Sequence, residues 1–547
     1  MTSIQAPPTS KPTGSAQARR VRIVVALVVG AAVVRAGDPS GSWNAGGLDR
    51  FWDFFAAAAS PELSGDFLAL TWRESLVTLS YAILGTALAV TIGLIGGALL
   101  TRRWWESTAD RSTGIGWRIA RTAGVLPRSI HEVVWGLLLL NVLGLDPMVA
   151  VLAIGIPFGA ITAVVFADVV DERSADAYRA LRAAGAPRVS SLAYSLGPDA
   201  RDDLASYAFY RFECAIRSAA ILGIVGAGGL GFQLQLSFTS LRHEEVWTLL
   251  YALIALSGLA DGWSGWVRRR SAGVVAPDNL STRRGAHRGV GTWTSLGVAV
   301  AIPLAWWRVD LDVSTLWSSR TRSEATYVLS SLWPPSLRDG WRTVIDQAVD
   351  TVALAVLALV LAFVAGVVLS LLASGAVGPR GPGTGGPAGV VVRATTRAVL
   401  LVTRAIPPPV GAIVVLFVIR PGVWAGALAL GVYNLGVLGR LFAEVIENAD
   451  VAARDALVSQ GARRTQAVAY ATLPEVWGRF TALGLYRWEV AIRETVVVGV
   501  VGAGGLGRAL DDELSAFAWG KVSGILLALV AITFVVDLTS GWIRRNR

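Results

Sequence analysis

The sequence predicts an all-α polytopic membrane protein with about twelve spanning helices in two pseudo-symmetric six-helix halves. Three observations lead there. The 547 residues are 53% hydrophobic and only 16% charged, with a mean hydropathy of +0.54, too apolar and too poor in surface charge for an ordinary water-soluble chain. The basic residues cluster beside apolar runs instead of forming a polar domain. A long stretch of the first half also recurs in the second without a gap.

The segments follow from runs that approach the roughly 20 residues needed to cross a bilayer. Examples are Tyr81–Leu100 (YAILGTALAVTIGLIGGALL) and Thr351–Ala373 (TVALAVLALVLAFVAGVVLSLLA). The first half places segments near residues 21 to 36, 70 to 100, 122 to 144, 147 to 170, 207 to 231 and 245 to 267. The second places them near 291 to 307, 350 to 373, 395 to 418, 422 to 441, 482 to 506 and 521 to 543. The expected divisions are a disordered cytoplasmic tail (1–20), a first half (21–267), a polar basic linker (268–290) and a second half (291–547).

Orientation comes from the arginines. Arg19, Arg20 and Arg22, Arg102 and Arg103, Arg268 to Arg270, and Arg544, Arg545 and Arg547 flank apolar runs, as the positive-inside bias predicts for cytoplasmic ends. With both termini inside, the loops Gly37–Phe55 and Arg242–Trp247 fall outside. The formal charge of +10 is therefore a membrane-flank signal, and no nucleic-acid partner is expected. Cys214 stands alone, and His131, His243 and His287 form no ligand cluster, so neither a disulfide nor a metal site is expected. No G-x-x-x-x-G-K-[ST] is present, so the chain should hydrolyse no ATP and hold no cofactor of its own.

The internal repeat is the strongest signal. An offset of 276 aligns residues 128–231 with 404–507, and 22 of the 54 positions from 178 to 231 are identical to their counterparts. Tyr210–Arg217 (YRFECAIR) meets Tyr486–Arg493 (YRWEVAIR), and Gly223–Gly231 (GIVGAGGLG) meets Gly499–Gly507 (GVVGAGGLG). Six crossings per copy return the chain to its starting side, so the halves should be related by an axis along the membrane normal, with a pathway between them.

Four features of the repeat carry candidate function. Glu213 and Arg217, like Glu489 and Arg493, are i and i+4 on one helix face, a spacing for an ion pair within or across the halves, or for arginines that offer an anion a transient positive site. Arg128 and Arg404 are matched arginines near the start of the third crossing, where snorkelling is the plainer role. His131 beside Glu132 has the composition of a proton relay or a structural contact. Finally, Gly226, Gly228 and Gly229, with Gly502, Gly504 and Gly505, complete a literal G-x-G-x-x-G. A dinucleotide site would need a preceding strand and an acid about 20 positions on; upstream is a helical pattern, and the second copy has Lys521 and Val522 at that distance. Thirteen helical residues above Glu213, roughly 20 Å, these glycines belong in the middle to outer membrane. They either allow close helix packing or break the helix as a hinge that lines the pathway.

Between the fourth and fifth crossings each half carries a polar helical elbow, Asp171–Asp203 and Asn448–Arg479. The motif xALxxxGAxR in these elbows, followed by YRxExxIR and GxVGAGGLG, resembles the permeases of bacterial ATP-binding-cassette importers, specifically the phosphonate ABC transporter permease family (PhnE-type), here as two copies fused in one chain. The resemblance implies a type I importer-like helical fold in the bacterial inner membrane, surrounded by lipid. It also implies an ATPase-coupling role for Ala180, Leu181, Gly185 and Ala186, and for Asp455, Ala456, Leu457, Gly461 and Ala462. The first copy departs from the motif, with Arg179 where the acid is expected and Gly197 in place of Leu473. The implied partners are two cytoplasmic ATPase subunits, which hold ATP and Mg, and an external binding protein that delivers a phosphonate, phosphate or phosphite. An importer of another small solute such as an amino acid, or a gated anion channel, are the alternatives.

Overall fold

The computed structural model describes residues 14–37, 39–106, 114–195, 197–271, 283–336, 340–376 and 387–545. Most of the expected tail and part of the linker lie outside these residues. The first half contains α1 (Gly14–Ala36), α2 (Gly65–Leu100), α3 (Gly114–Ala123), α4 (Glu132–Leu143) and α5 (Pro147–Asp171). It continues with α6 (Asp176–Ala183), α7 (Arg188–Ser195), α8 (Gly197–Leu222), α9 (Gly229–Thr239) and α10 (His243–Ser271). The second half follows as α11 (Arg283–Arg308), α12 (Trp341–Ala373), α13 (Pro387–Ala405), α14 (Pro408–Val418) and α15 (Val423–Glu447). It ends with α16 (Ala452–Ser459), α17 (Leu473–Val498), α18 (Gly505–Ser515) and α19 (Trp519–Arg545).

Among the described residues six helices are long and apolar enough to cross a membrane, and four bent pairs bring the possible spans to ten. The first segment of each half survives only as the shorter apolar stretches Ile23–Ala36 and Leu296–Arg308. The largest departure from the sequence expectation is the third crossing of each half. The sequence reads 122–144 and 395–418 as one segment each; the chain bends by 79° before α4 and by 95° between α13 and α14. Proline explains the second bend, since Pro407, Pro408 and Pro409 cannot continue the hydrogen-bond ladder of α13 but suit the first turn of α14. In the first half His131 takes the cap position, its Nδ1 accepting the Val133 N–H at 3.2 Å.

The most extensive helix contact in each half joins matched elements, α2 with α5 and α12 with α15. Glycine makes it possible: a Cβ on Gly85 or Gly97 of α2 would lie 2.8 Å from Ile154 or Phe166 of α5. Reciprocal exchange then ties the halves together. Helix α1 packs on α12 of the other half, with Arg35 Nε 2.7 Å from Asp350, and α11 packs on α2, with Arg308 donating to the Arg73 carbonyl at 3.3 Å. Val410 and Val414 of α14 enter the first-half core, while Val134 of α4 joins Leu506, Leu510 and Trp519 in the second. The halves are interleaved, so each depends on the other to bury its apolar faces.

Candidate functional site

Between the halves lies a cavity of about 710 Å³. It brings together Arg128, His131, Glu132, Glu213, Arg217, Arg404, Glu489 and Arg493, every ionisable pathway candidate that the sequence singled out; Asp455 lies on the second elbow. The cause is local. In YRxExxIR the three- and four-residue steps put the tyrosine, glutamate and second arginine on one face of α8, and again on α17, and these faces oppose each other across the interface.

One wall is dense with ion pairs, although the Arg404 Nε is buried without a partner. Glu213 of α8 lies 3.4 Å from Arg217 and 3.1 Å from Arg404 of α13. Asp261 of α10 accepts from Arg404 and from Arg440 of α15, each at 2.7 Å, and Arg440 also reaches Glu444 at 2.9 Å. Arg217 donates to Tyr433 at 3.2 Å. On the same side Arg487 of α17 meets Glu494 at 2.9 Å and Asn434 at 2.7 Å, all three residues buried. Several of these pairs join first-half to second-half residues, and in low dielectric removing either partner of a buried pair strands a charge.

The opposite wall, made of the two-fold counterparts, is differently bonded. Arg493 donates to the Arg128 carbonyl at 2.8 Å, and its Nε is buried without a hydrogen-bond partner. The i,i+4 bridge formed by Glu213 and Arg217 therefore has no copy at Arg493, which among the described residues has no carboxylate within 4.0 Å. Arg211, 6% exposed, bonds no group but the Tyr207 hydroxyl among the described residues and stacks on Phe158, Tyr207 and Tyr210. Glu132 accepts from Ser218 at 2.7 Å, and its contact with His131 Nδ1 is 3.4 Å. Because that nitrogen already accepts the Val133 N–H, His131 is engaged as a helix cap.

The glycines do not line the cavity. They lie further along α8 and α17, past a small apolar cluster of Val133, Ile221 and Val497, of which Ile221 and Val497 are two-fold counterparts that line the cavity. There α8 bends by 55° into α9, and α17 by 63° into α18. Gly226 and Gly502 have φ of 112° and 99°, a region closed to other residues without strain. Gly231 shows the packing role instead, because a Cβ there would sit 1.8 Å from the Ala220 carbonyl oxygen. The first N–H groups of α9 and α18 are capped from the second segments, Leu230 N by Thr78 and Leu506 N by Thr351, each at 2.9 Å.

Both elbows close on the same turn. Ala186 N–H reaches the Leu181 carbonyl and Ala462 N–H the Leu457 carbonyl, each at 3.0 Å, with Gly185 and Gly461 at φ of 87° and 91°. This is why GA recurs five residues after AL begins. Tyr194 and Tyr470 occupy matched positions beside the turns and are 80% and 78% exposed. The first elbow is tethered: Tyr178 is buried with its hydroxyl donating to the Arg103 carbonyl at 2.9 Å, and Arg179 lies 3.5 Å from Glu106. That burial pushes the Tyr178 hydroxyl above the usual phenol range. The second elbow buries nothing on α16, and among the described residues Asp455 pairs only with its neighbour Arg454, at 3.0 Å.

Sequence reasoning missed Arg211, Asp261, Arg440, Arg487, Asn434 and Glu494. A signal existed for Asp261 and Arg440, each an ionisable residue inside an apolar run. Arg211 and Arg487 stood within the quoted motif beside the residues chosen.

Comparison with known proteins agrees with the duplication. The family model described as "Binding-protein-dependent transport system inner membrane component" matches twice, over residues 89–272 and 386–546, together more than half of the chain. The chain is 25% identical over 467 residues to the phosphate-import permease protein PhnE of Mycolicibacterium smegmatis, covering 85% of this chain and 84% of that one. It is 32% identical over 262 residues to the phosphite transport system permease protein PtxC of Stutzerimonas stutzeri, covering 47% of this chain and 91% of the relative. No solved structure matches it. Two matched copies of the family's domain, facing each other across one cavity, place the chain in the family of binding-protein-dependent transport system inner membrane components, the permease subunits of ATP-binding-cassette importers.

Proposed function

We propose that this chain supplies both halves of the transmembrane pathway of an importer for a tetrahedral phosphorus oxyanion: phosphate, phosphite or phosphonate. The observation that carries the reading is the arginine-rich cavity between the two copies, seven of whose lining residues are arginines. Guanidinium groups match the planar pairs of acceptor oxygens that such anions present. The names of the relatives point to the same substrate class.

In this reading two cytoplasmic ATPase subunits dock on the elbows around Gly185 and Gly461, contacting Tyr194 and Tyr470, and a binding protein delivers the anion on the opposite side. Both termini are then cytoplasmic. Nucleotide-driven closure of the ATPases moves the elbows, α8 and α17 act as levers, and the apolar cluster at Ile221 and Val497 parts around the glycine breaks. Gly226, Gly228 and Gly229, with Gly502, Gly504 and Gly505, serve as hinges, giving the lever helices a fixed place to bend.

The test is reconstitution of the chain with its ATPase and binding protein in liposomes, followed by uptake of radiolabelled phosphate and phosphite. ATP-dependent, binding-protein-dependent accumulation is the expected result. Uptake of an amino acid in place of these anions would overturn the substrate class, and anion flux without ATP would mark a channel.

A further inference from the structure

The repeat makes a residue-by-residue comparison of the two cavity walls possible, because each arginine on one has a counterpart 276 positions away on the other. Arg487 is neutralised by Glu494 and oriented by Asn434. At the equivalent places Arg211 finds Ser218 and Phe158, so the carboxylate and the amide are both missing. Arg404 is held by two acids, whereas Arg128 makes no side-chain ion pair among the described residues. Arg217 has Glu213; among the described residues Arg493 has a backbone carbonyl and no carboxylate partner, and its buried Nε, like that of Arg404, has no acceptor.

We propose that the translocated anion pauses at one position only, on this open wall, held by Arg211 of the first half and Arg493 of the second with Arg128 beside them, while the opposite wall serves as framework. The inference rests on the oxyanion-importer reading and sharpens it to a site. Arg211 and Arg493 line the same cavity, Arg211 buried and Arg493 with a buried N–H left over. A dianion between them offsets two positive charges and accepts that N–H. Arg211 is pre-oriented for this, its Nε turned to the Tyr207 hydroxyl at 2.9 Å and its plane stacked on aromatic rings. Glu132, Glu489 and Asp537, the counterpart of Asp261, also line the cavity, and Glu132 is already bonded to Ser218. Carboxylates nearby keep the site shallow, as transit requires: strong enough to draw the anion in, weak enough to release it.

The experiment uses the full importer in liposomes with radiolabelled phosphate and phosphite as probes. Arg211→Gln and Arg493→Gln are each expected to lower uptake of both anions at least tenfold while binding-protein-stimulated ATP hydrolysis stays within about twofold. The double variant Arg487→Gln/Glu494→Gln, which removes the matched pair on the framework wall, is expected to keep uptake within about threefold. A further variant, Glu132→Gln/Ser218→Glu, keeps the charge count and places a carboxylate at the position from which Glu494 reaches Arg487. It should fold, dock its ATPase and lose uptake as severely as Arg211→Gln. Wild-type uptake with Arg211→Gln or the relocated carboxylate transporting normally would overturn the single site and leave the importer reading intact. Equal losses from the two walls would overturn it as well. Failure of the wild-type complex to import either anion would instead overturn the reading on which the site rests.

Discussion

At the glycine breaks the two halves have nearly one conformation: Gly228 and Gly504 have φ of 93° and 96°, and each following helix begins with an N–H capped by a threonine at 2.9 Å. A few turns down the same two helices, the halves part company. Arg487 has a glutamate and an asparagine, while Arg211 has a tyrosine hydroxyl and three aromatic rings. The difference separates two kinds of constraint. Backbone positions that only glycine fills without strain must be kept in both copies for both levers to bend. Side-chain pairing answers to one shared cavity, so a duplicated and fused chain is free to make one wall structural and leave the other to the cargo.

Breaking the pairing on the framework wall should give the largest effect. Glu494→Gln leaves buried Arg487 without its carboxylate, and a loss of about 3–5 kcal/mol in stability is expected from stranding one partner of a buried pair. The counterpart change, Ser218→Ala, removes a single hydrogen bond to Glu132 and should cost about 1–2 kcal/mol. Thermal unfolding of the detergent-purified chain reads both. Equal costs at positions 494 and 218 would erase the distinction between the walls.

The glycine breaks predict the opposite pattern, equality. At Gly226 and Gly502 a Cβ would meet nothing nearer than 3.5 Å and 3.9 Å, so the penalty for Gly226→Ala and Gly502→Ala is conformational. Roughly 1–2 kcal/mol is expected for each, the same in both halves. Transport should fall in both variants while substrate delivery by the binding protein is unchanged. A loss confined to one half would show that only one lever bends.

How much of this could be read in the chain beforehand depends on how far apart the cooperating residues lie. The motif YRxExxIR is short and helical, so its inward face at Glu213, Arg217, Glu489 and Arg493 was legible from spacing alone. The partners that decide its chemistry were not: Arg404 and Arg440 reach Asp261 from 143 and 179 residues away, across the boundary between the copies. The exchange of α1 and α11 was equally hidden, because an apolar run looks the same whichever half it packs on. The bends in the third segments had a written signal in Pro407 to Pro409, but the apolar stretch after them read as continuous. For the glycines the sequence reading left two roles open, and the backbone shows close packing at Gly231 and a left-handed break at Gly226, away from the cavity lining.

The elbows sharpen the comparison at smaller scale. Tyr194 and Tyr470 are exposed to the same degree, yet the first helix of the first elbow is tethered through Tyr178 and Arg179, whereas its counterpart α16 buries nothing. Truncating an exposed aromatic at a docking surface costs about 1–2 kcal/mol, close to tenfold in affinity. Tyr194→Ala and Tyr470→Ala should therefore weaken ATPase binding alike, as read by titration of the ATPase onto the reconstituted chain. Tyr178→Phe, which loosens only the first elbow, should leave that affinity unchanged and reduce transport per ATP hydrolysed, since a loose elbow transmits less of the ATPase movement. If tethering has no part in coupling, this ratio will not move.

The exchanged first helices should give the smallest effect, and the reason lies in where their polar contacts sit. Arg35 pairs with Asp350 at 2.7 Å, but its side chain keeps 38% of its surface exposed, so water and salt screen the pair. Arg35→Ala should cost less than about 1 kcal/mol. What holds α1 to α12 is apolar: Ala32, 5% exposed, lies in the second-half core with Val28 and Val29 packed against it. Placing a charge there, Ala32→Asp, should displace the whole helix and expose α12, a far larger change than removing the arginine. Cross-linking of paired cysteines at Arg35 and Asp350 in a Cys214→Ser background reads the helix position directly. It should persist in an otherwise unchanged chain and fail when Ala32→Asp is added, because the exchange is built on buried area and the ion pair only marks its edge.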